Sequence, residues 1–343
     1  MKRFVWILTI AAMTAAFGGC GKPSVETPQK PQQENPDDPG TTDQPQQPST
    51  PETTFPVDVR SAMEEAKLVT SVSNYSSYSP HSGVTVSEIK YKDYSGNLQA
   101  VFVMQVDLSD ATVSMTNTVP GGATSSFNAG REKLSAQMKR IDSPGYKVIG
   151  GINTDFFTTT GDNAGRAAGI FWHNGTCFKD TFNSEANRPR CFGYWDSNKT
   201  FTLAASKEYS YVKSTRKLQE VFSGGQFMVR DGVLSAYTED GVFGVHPRTL
   251  IGVTKDKTKV ILVVLDGRNA SYAVGMNYPD MQKLMKAVGS YDAINLDGGG
   301  SSTFIVRGEG TGYGSNAVFN IRNKPSDGSE RAIGPGLAII ASD

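Results

Sequence analysis

The stretch Asn295-Leu296-Asp297-Gly298-Gly299-Gly300-Ser301-Ser302-Thr303 joins two short apolar runs, Tyr291, Ala293, Ile294 and Leu296 before it and Phe304, Ile305 and Val306 after it. Apolar runs of this length read as buried strands, so the glycines occupy a connection and Asp297 stands where the first strand ends. Three consecutive glycines lose more backbone entropy on folding than any other triplet. Backbone N–H groups in such a turn, with the hydroxyls of Ser301, Ser302 and Thr303 beside them, are of the kind that converge on an anion. The alternative is a bare hairpin whose glycines serve sterics alone. Two common sites are disfavoured. A nucleotide-binding loop needs a Lys after its glycines and then a helix, whereas Ser-Ser-Thr and a strand follow these. A serine-nucleophile elbow needs Gly-x-Ser-x-Gly, which is absent at this position.

The same arrangement, a polar group closing an apolar run, recurs twice. Asn153 and Asp155 follow Val148, Ile149 and Ile152, and Asp266 and Arg268 follow the run Val260 through Leu265. If these strands lie side by side in one direction, Asp155, Asp266, Asp297 and Arg268 converge at one sheet edge, where ligand sites form. His246-Pro247-Arg248-Thr249 brings a second guanidinium upstream of a further strand. Any one of these aspartates alone reads as a turn former. The set reads as a site.

Elsewhere the pattern predicts a helix within residues 57–70, strands around 84–91 and 100–108, a helix over 127–141 and a strand over 147–153. It also predicts hairpin turns at Asn174-Gly175 and Asp231-Gly232 and a hairpin over 250–265. Pro279 opens a helix with Met281, Leu284, Met285 and Val288 on one face, and residues 337–341 form a last strand. The class that follows is α+β, a strand-rich mixed sheet with a few packed helices in a single domain.

The first residues carry Lys2 and Arg3, an apolar run to Phe17, and Gly18-Gly19-Cys20, a secretion signal too short to span a bilayer. It resembles a bacterial lipoprotein signal over residues 1–19, with Cys20 as the lipidated residue; Gly21 after it points to the outer membrane. Residues 20–56 are dominated by Pro, Gln, Thr, Glu and Asp and read as a disordered tether, leaving residues 57–343 for the domain. The expected location is the cell envelope, with the lipid as the only membrane contact. Lys plus Arg and Asp plus Glu each number 34 in 343 residues, so there is no electrostatic footprint for nucleic acid. Only Cys177 and Cys191 remain besides Cys20. In an oxidising compartment a disulfide closing that short loop contributes about 3 kcal/mol, and two unpaired thiols are the alternative.

Together these residues identify a family: the chain resembles the phosphodiester glycosidases, relatives of the uncovering enzyme that removes N-acetylglucosamine from phosphodiester-linked mannose. The resemblance rests on Ile152 to Phe157, Gly224-Gly225, His246 to Thr249, Asp266-Gly267-Arg268, Gly275-Met276, Asn295 to Thr303, Pro325-Ser326-Asp327-Gly328 and Arg331, in that order. It is best over residues 147–340. Departures occur at Thr154, where the family usually has Gly, at Asn277, where it has Thr, and near residues 332–336; they bear on which sugar is taken.

The resemblance implies a hydrolase that cleaves the glycosidic bond of a sugar 1-phosphodiester such as an N-acetylglucosamine 1-phosphodiester. A phosphomonoester leaving group departs with little help from a general acid, so cations matter more at that end. Arg248 and Arg268 bind phosphoryl oxygens bidentately. Asp297 and Asp155, with Asp266 beside them, are the candidate catalytic carboxylates. Asn153, Asn295, Ser301 and the loop residues Gly298, Gly299, Gly300 and Ser302 are expected to orient sugar or phosphate, and the resemblance adds Asp327 and Arg331. No cofactor is required, although carboxylates of this kind also suit a hard cation such as Ca²⁺. The competing class is a surface glycan-binding lipoprotein without catalysis, using Trp172, Trp195 and nearby Tyr as platforms.

Overall fold

The computed structural model describes residues 54–128, 130–183, 190–197, 200–236 and 244–342. They fall within one unit, Glu52–Asp343. The signal segment, Cys20 and nearly all of the expected tether lie outside the described residues. Among the described residues no helix is long and apolar enough to cross a membrane.

The run Val260 through Leu265 explains the architecture. Its residues are all buried, because the Lys259–Leu265 strand is central in an eight-stranded sheet covered on both faces. Alternate residues Ile261, Val263 and Leu265 face the helices Val59–Glu65 and Tyr278–Ala287. Val260, Leu262 and Val264 face two further sheets. A strand covered on both sides has no use for polar alternation. In spatial order the large sheet runs Ser71–His81, Val84–Lys92, Leu98–Asp107, Lys259–Leu265, Arg248–Val253, Asp292–Asn295, Phe227–Arg230 and Val233–Leu234.

The second sheet is ordered Phe319–Ile321, Phe304–Arg307, Lys147–Asn153, Gly336–Ala341 and Val113–Thr118. The third is ordered Phe201–Ala205, Cys191–Asp196, Leu218–Gly224, Phe171–His173 and Thr176–Lys179. Each carries a helix on its outer face. Leu134 and Met138 of Leu134–Ile141 pack on Val148, Ile305 and Ile340, and Tyr209 and Val212 of Tyr209–Thr215 pack on Phe192 and Val221. One core, from Phe102 and Leu262 through Phe304 and Leu337 to Phe171 and Phe222, joins all three sheets.

The α+β class therefore holds, with about 16% helix and 42% strand. The single mixed sheet does not, since the strands form three main sheets and pair antiparallel throughout. The predicted 127–141 helix is confined to Leu134–Ile141, because Gly130 sits at φ +115° and Glu132–Lys133 pairs with Ala332–Ile333. Both hairpin turns form, with positive φ at Asn174 and Gly175 and at Asp231 and Gly232. Asn277 caps the Tyr278–Ala287 helix by accepting from Asp280 N at 3.0 Å. Thr is also a capping residue, so that departure from the family pattern has a structural reason.

The Cys177–Cys191 bond is not formed; both are free thiols. Cys177 lies on the edge strand Thr176–Lys179 and Cys191 on Cys191–Asp196, with two strands between them. Three strand spacings place them about 14 Å apart, beyond the reach of a disulfide. Burial pushes the Cys191 thiol up to about 12.

Candidate active site

The three acid-bearing strands do not lie side by side. Lys259–Leu265 and Asp292–Asn295 flank Arg248–Val253 in the large sheet, while Lys147–Asn153 belongs to the second sheet. Their ends are nevertheless brought together, and Asn153 is the clamp. This buried side chain donates from Nδ2 to Asp297 O at 2.7 Å and accepts at Oδ1 from Thr249 Oγ1 at 2.9 Å and Thr303 N at 3.1 Å. Asp297 N donates to Thr154 O at 2.9 Å, so the glycine loop is laced to the end of the second sheet. Asn295 is equally structural. Its Oδ1 accepts from Gln226 N at 2.6 Å, binding the turn after Gly224-Gly225 to the loop.

The loop donors are mostly spent within the protein. Gly298 N donates to Asp297 Oδ1, Gly299 N to Pro247 O, Ser301 N to Gly298 O, Ser302 N to Gly299 O and Thr303 N to Asn153. Gly300 N is the exception among the described residues. Ser301 and Ser302 are 1% exposed, and the Ser302 hydroxyl meets Thr249 Oγ1. An open cradle of backbone N–H groups and hydroxyls is therefore not what the glycines build.

They make room for arginines. Gly299 has φ +62°, and a Cβ there would lie 3.1 Å from Nη2 of Arg268. A Cβ on Gly300 would fall 2.0 Å from Nη2 of Arg331, and one on Gly298 would lie 3.8 Å from Cδ of Arg248. Gly299 and Gly300 thus each face a guanidinium, whereas Gly298 lies against the Pro247 carbonyl, which a Cβ would meet at 2.9 Å. Arg331 pairs with Asp327 at 2.6 Å and reaches the Ser301 hydroxyl at 3.4 Å. Arg248 is held by Gly244 O at 2.8 Å and Met276 O at 3.3 Å, and its guanidinium stacks over Tyr278 at 5.1 Å. Arg268 is exposed and makes no side-chain hydrogen bond or ion pair to another described residue. It is itself at φ +62°, a left-handed conformation that costs a non-glycine residue energy and marks sites under constraint.

The aspartates divide. Asp297 is half-buried, and its Oδ1 accepts from Gly298 N at 2.9 Å. Asp155 is 1% exposed; its Oδ1 accepts from Ser223 N at 2.8 Å and its Oδ2 from Thr154 Oγ1 at 3.0 Å. Burial pushes its carboxyl up to about 8, opposed by those bonds and by Lys179. Asp266 is 2% exposed and ties down the chain after the Phe319–Ile321 strand, accepting from Asn323 Nδ2, Lys324 N and Tyr272 OH. Burial raises its pKa as well. Of the three carboxylates expected to line one pocket with Arg248 and Arg268, Asp155 and Asp266 are buried and bonded within the protein, whereas Asp297 is half-buried.

One residue the sequence reading left without a role joins the cluster. His246 is exposed, and desolvation together with Arg248 and Arg268 holds its imidazole below its ordinary pKa. Its signal was the His-Pro-Arg-Thr run itself. Lys179, whose ammonium is held by Ala167 O, Ala168 O and Asn183 Oδ1 near Asp155, had no sequence signal. Among the described residues no group of three or more His, Cys, Asp or Glu is arranged to hold a metal ion.

The phosphodiester glycosidase family model matches residues 146–340, more than half of the chain and every site residue above. The chain belongs to the phosphodiester glycosidase family. SPbeta prophage-derived uncharacterized protein YomE of Bacillus subtilis (strain 168) is 40% identical over 98 residues, which are 29% of this chain and 13% of that protein. The catalytic domain of zebrafish N-acetylglucosamine-1-phosphodiester alpha-N-acetylglucosaminidase, auto-inhibited by its pro-peptide, shares the fold. It has a TM-score of 0.56 and 19% identity, over 80% of this chain and 89% of that one. A hypothetical protein from Synechocystis matches with a TM-score of 0.53 and 10% identity, over 78% and 64%.

Proposed function

We propose that this phosphodiester glycosidase family member hydrolyses the glycosidic bond of a sugar 1-phosphodiester, releasing free sugar and a phosphomonoester. One observation carries the reading: the guanidinium groups of Arg268 and Arg331 stand against Gly299 and Gly300 of the Asp297 loop, and Arg268 has no carboxylate partner among the described residues. A planar, permanently charged fork suits a phosphoryl group. Arg268 and Arg331 hold the phosphodiester, and Arg248 shapes the wall. As the bond from C1 to the phosphate oxygen breaks, its electrons pass to a phosphomonoester already stabilised by these cations. Water adds at C1 and releases a proton. Asp297, at the mouth of the cluster, stabilises the oxocarbenium-like centre or takes that proton. His246 is neutral near pH 7 and is placed to accept or donate a hydrogen bond there.

Asp155 and Asp266 act by holding Thr154, Ser223 and the 323–324 segment in place. The lipid on Cys20 would fix the enzyme to the envelope, as the signal segment suggests. The experiment is release of sugar and phosphomonoester from a panel of sugar 1-phosphodiesters, run beside phosphatase and ordinary glycosidase substrates. Turnover confined to the phosphodiesters is expected. Absence of turnover on every member would leave a non-catalytic glycan binder as the better reading.

A further inference from the structure

A groove of about 410 Å³ opens far from the arginine cluster, between the Val113–Thr118 strand of the second sheet and the Cys191–Asp196 and Leu218–Gly224 strands of the third. Gln219 lines it near one end of Leu218–Gly224, whereas Gly224, at the other end, leads to Asn295. Five residues of extended chain separate them, about 17 Å. The groove is therefore distinct from the proposed catalytic site.

Its floor is apolar, made by Val113, Met115 and Trp195, which is almost wholly buried against Phe201 and Phe222. Tyr146 stands at its side, 38% exposed, with its hydroxyl interacting with Thr116. Glu220 is fixed behind it by Thr116 Oγ1 at 3.0 Å and Asn174 N at 3.3 Å, with His173 Nδ1 at 3.1 Å. At the mouth the Ser114 hydroxyl, the Lys217 ammonium and the Gln219 carboxamide oxygen have no hydrogen bond or ion pair to another described residue.

We infer that this groove is a second carbohydrate site, which takes one pyranose unit of a neutral glycan. A pyranose presents an apolar C–H face and a rim of hydroxyls. Tyr146 offers a ring held at its polar tip, and Ser114, Lys217 and Gln219 offer unspent donors and acceptors around an apolar floor. Asp196, paired with Arg216 at 3.6 Å, and Glu220, bonded to His173 at 3.1 Å, line the same groove, so it gathers no cluster of cations for an anionic sugar. A glycan held there brings its remote end to the arginine cluster at raised local concentration.

The test titrates the mature full chain with neutral gluco-, manno-, galacto- and N-acetylglucosamine oligosaccharides by calorimetry, against inorganic phosphate and a sugar 1-phosphodiester. At least one neutral oligosaccharide is expected to bind. Tyr146→Ala and Gln219→Ala should each weaken it roughly tenfold without changing turnover of a small phosphodiester, and Gln219→Ala should do so at an unchanged melting temperature. Binding of no oligosaccharide at millimolar concentration overturns the inference. So does binding that both variants retain, or that the phosphodiester displaces. The titration needs no turnover, so it stands whether or not the proposed reaction is found.

Discussion

Asn153-Thr154-Asp155 and Asn295-Leu296-Asp297 repeat one local pattern, an Asn closing a buried strand and an Asp two residues on, yet the two carboxylates meet different fates. Asp155 is roofed by the Leu218–Gly224 strand, which supplies Ser223 N, and it is 1% exposed. Asp297 is followed by three glycines that leave it half-buried and admit Arg268 and Arg331. The difference teaches that the chemistry at a strand end is set by what the tertiary structure lays over it. The two asparagines show the same division of labour, for Asn153 spans two sheets while Asn295 holds only the neighbouring turn.

Asp297→Asn is the sharpest way to break this comparison. It keeps the side chain's size and removes the charge, so sugar release is expected to fall about 10³-fold with an unchanged melting temperature. If Asp155→Asn caused that loss and Asp297→Asn did not, the assignment would be reversed. Asp266→Ala comes next. It strands Lys324 N, Asn323 Nδ2 and Tyr272 OH, and urea denaturation should show a loss of about 3 kcal/mol. A loss below 1 kcal/mol would mean that water replaces the carboxylate and the pin is not needed.

Arg268→Lys keeps the charge but loses the planar fork. A drop in kcat/KM of about tenfold on phosphodiesters, and a smaller one on activated aryl glycosides, is expected. Equal losses on both substrates would detach Arg268 from the phosphate. The last effect concerns Asp155 and pH. Its folded pKa, about 8, lies above the unfolded value of about 3.9, so the native state keeps a proton that the unfolded chain has released. Its contribution is greatest at acid pH and is lost as pH rises from about 4 to about 8, by less than about 1.4 kcal/mol per pH unit. Denaturation at pH 5 and pH 8 should show Asp155→Asn flattening that decline. An unchanged slope would place the proton elsewhere, with Lys179 the nearest coupled group.

Much of the local structure was legible. Val260 through Leu265 read as one strand of a hairpin, the Asn174-Gly175 and Asp231-Gly232 turns carry the residues that positive φ demands, and Met281, Leu284, Met285 and Val288 mark one helix face. The strand Ser71–His81 was not legible as a strand, because its serines and tyrosines lie on a half-exposed edge and show no apolar alternation. The Cys191–Asp196 strand of the third sheet escaped for a different reason: it is buried along its whole length and so has no polar face to mark its period.

By itself, then, the sequence determined the strand ends, the glycine loop and the family, since these follow from apolar runs, turn chemistry and a fixed order of short motifs. Only the tertiary structure decided that the acid-bearing strands belong to two sheets, that Asn153 clamps them, and that Asp155 and Asp266 are buried while Asp297 is left half-buried. It also decided against the Cys177–Cys191 bond, by setting two strands between the sulfurs. The physical reason is the same in each case. Burial and charge pairing depend on which strands become neighbours, and neighbours far apart in sequence are chosen by the packing of whole faces, which no local pattern records.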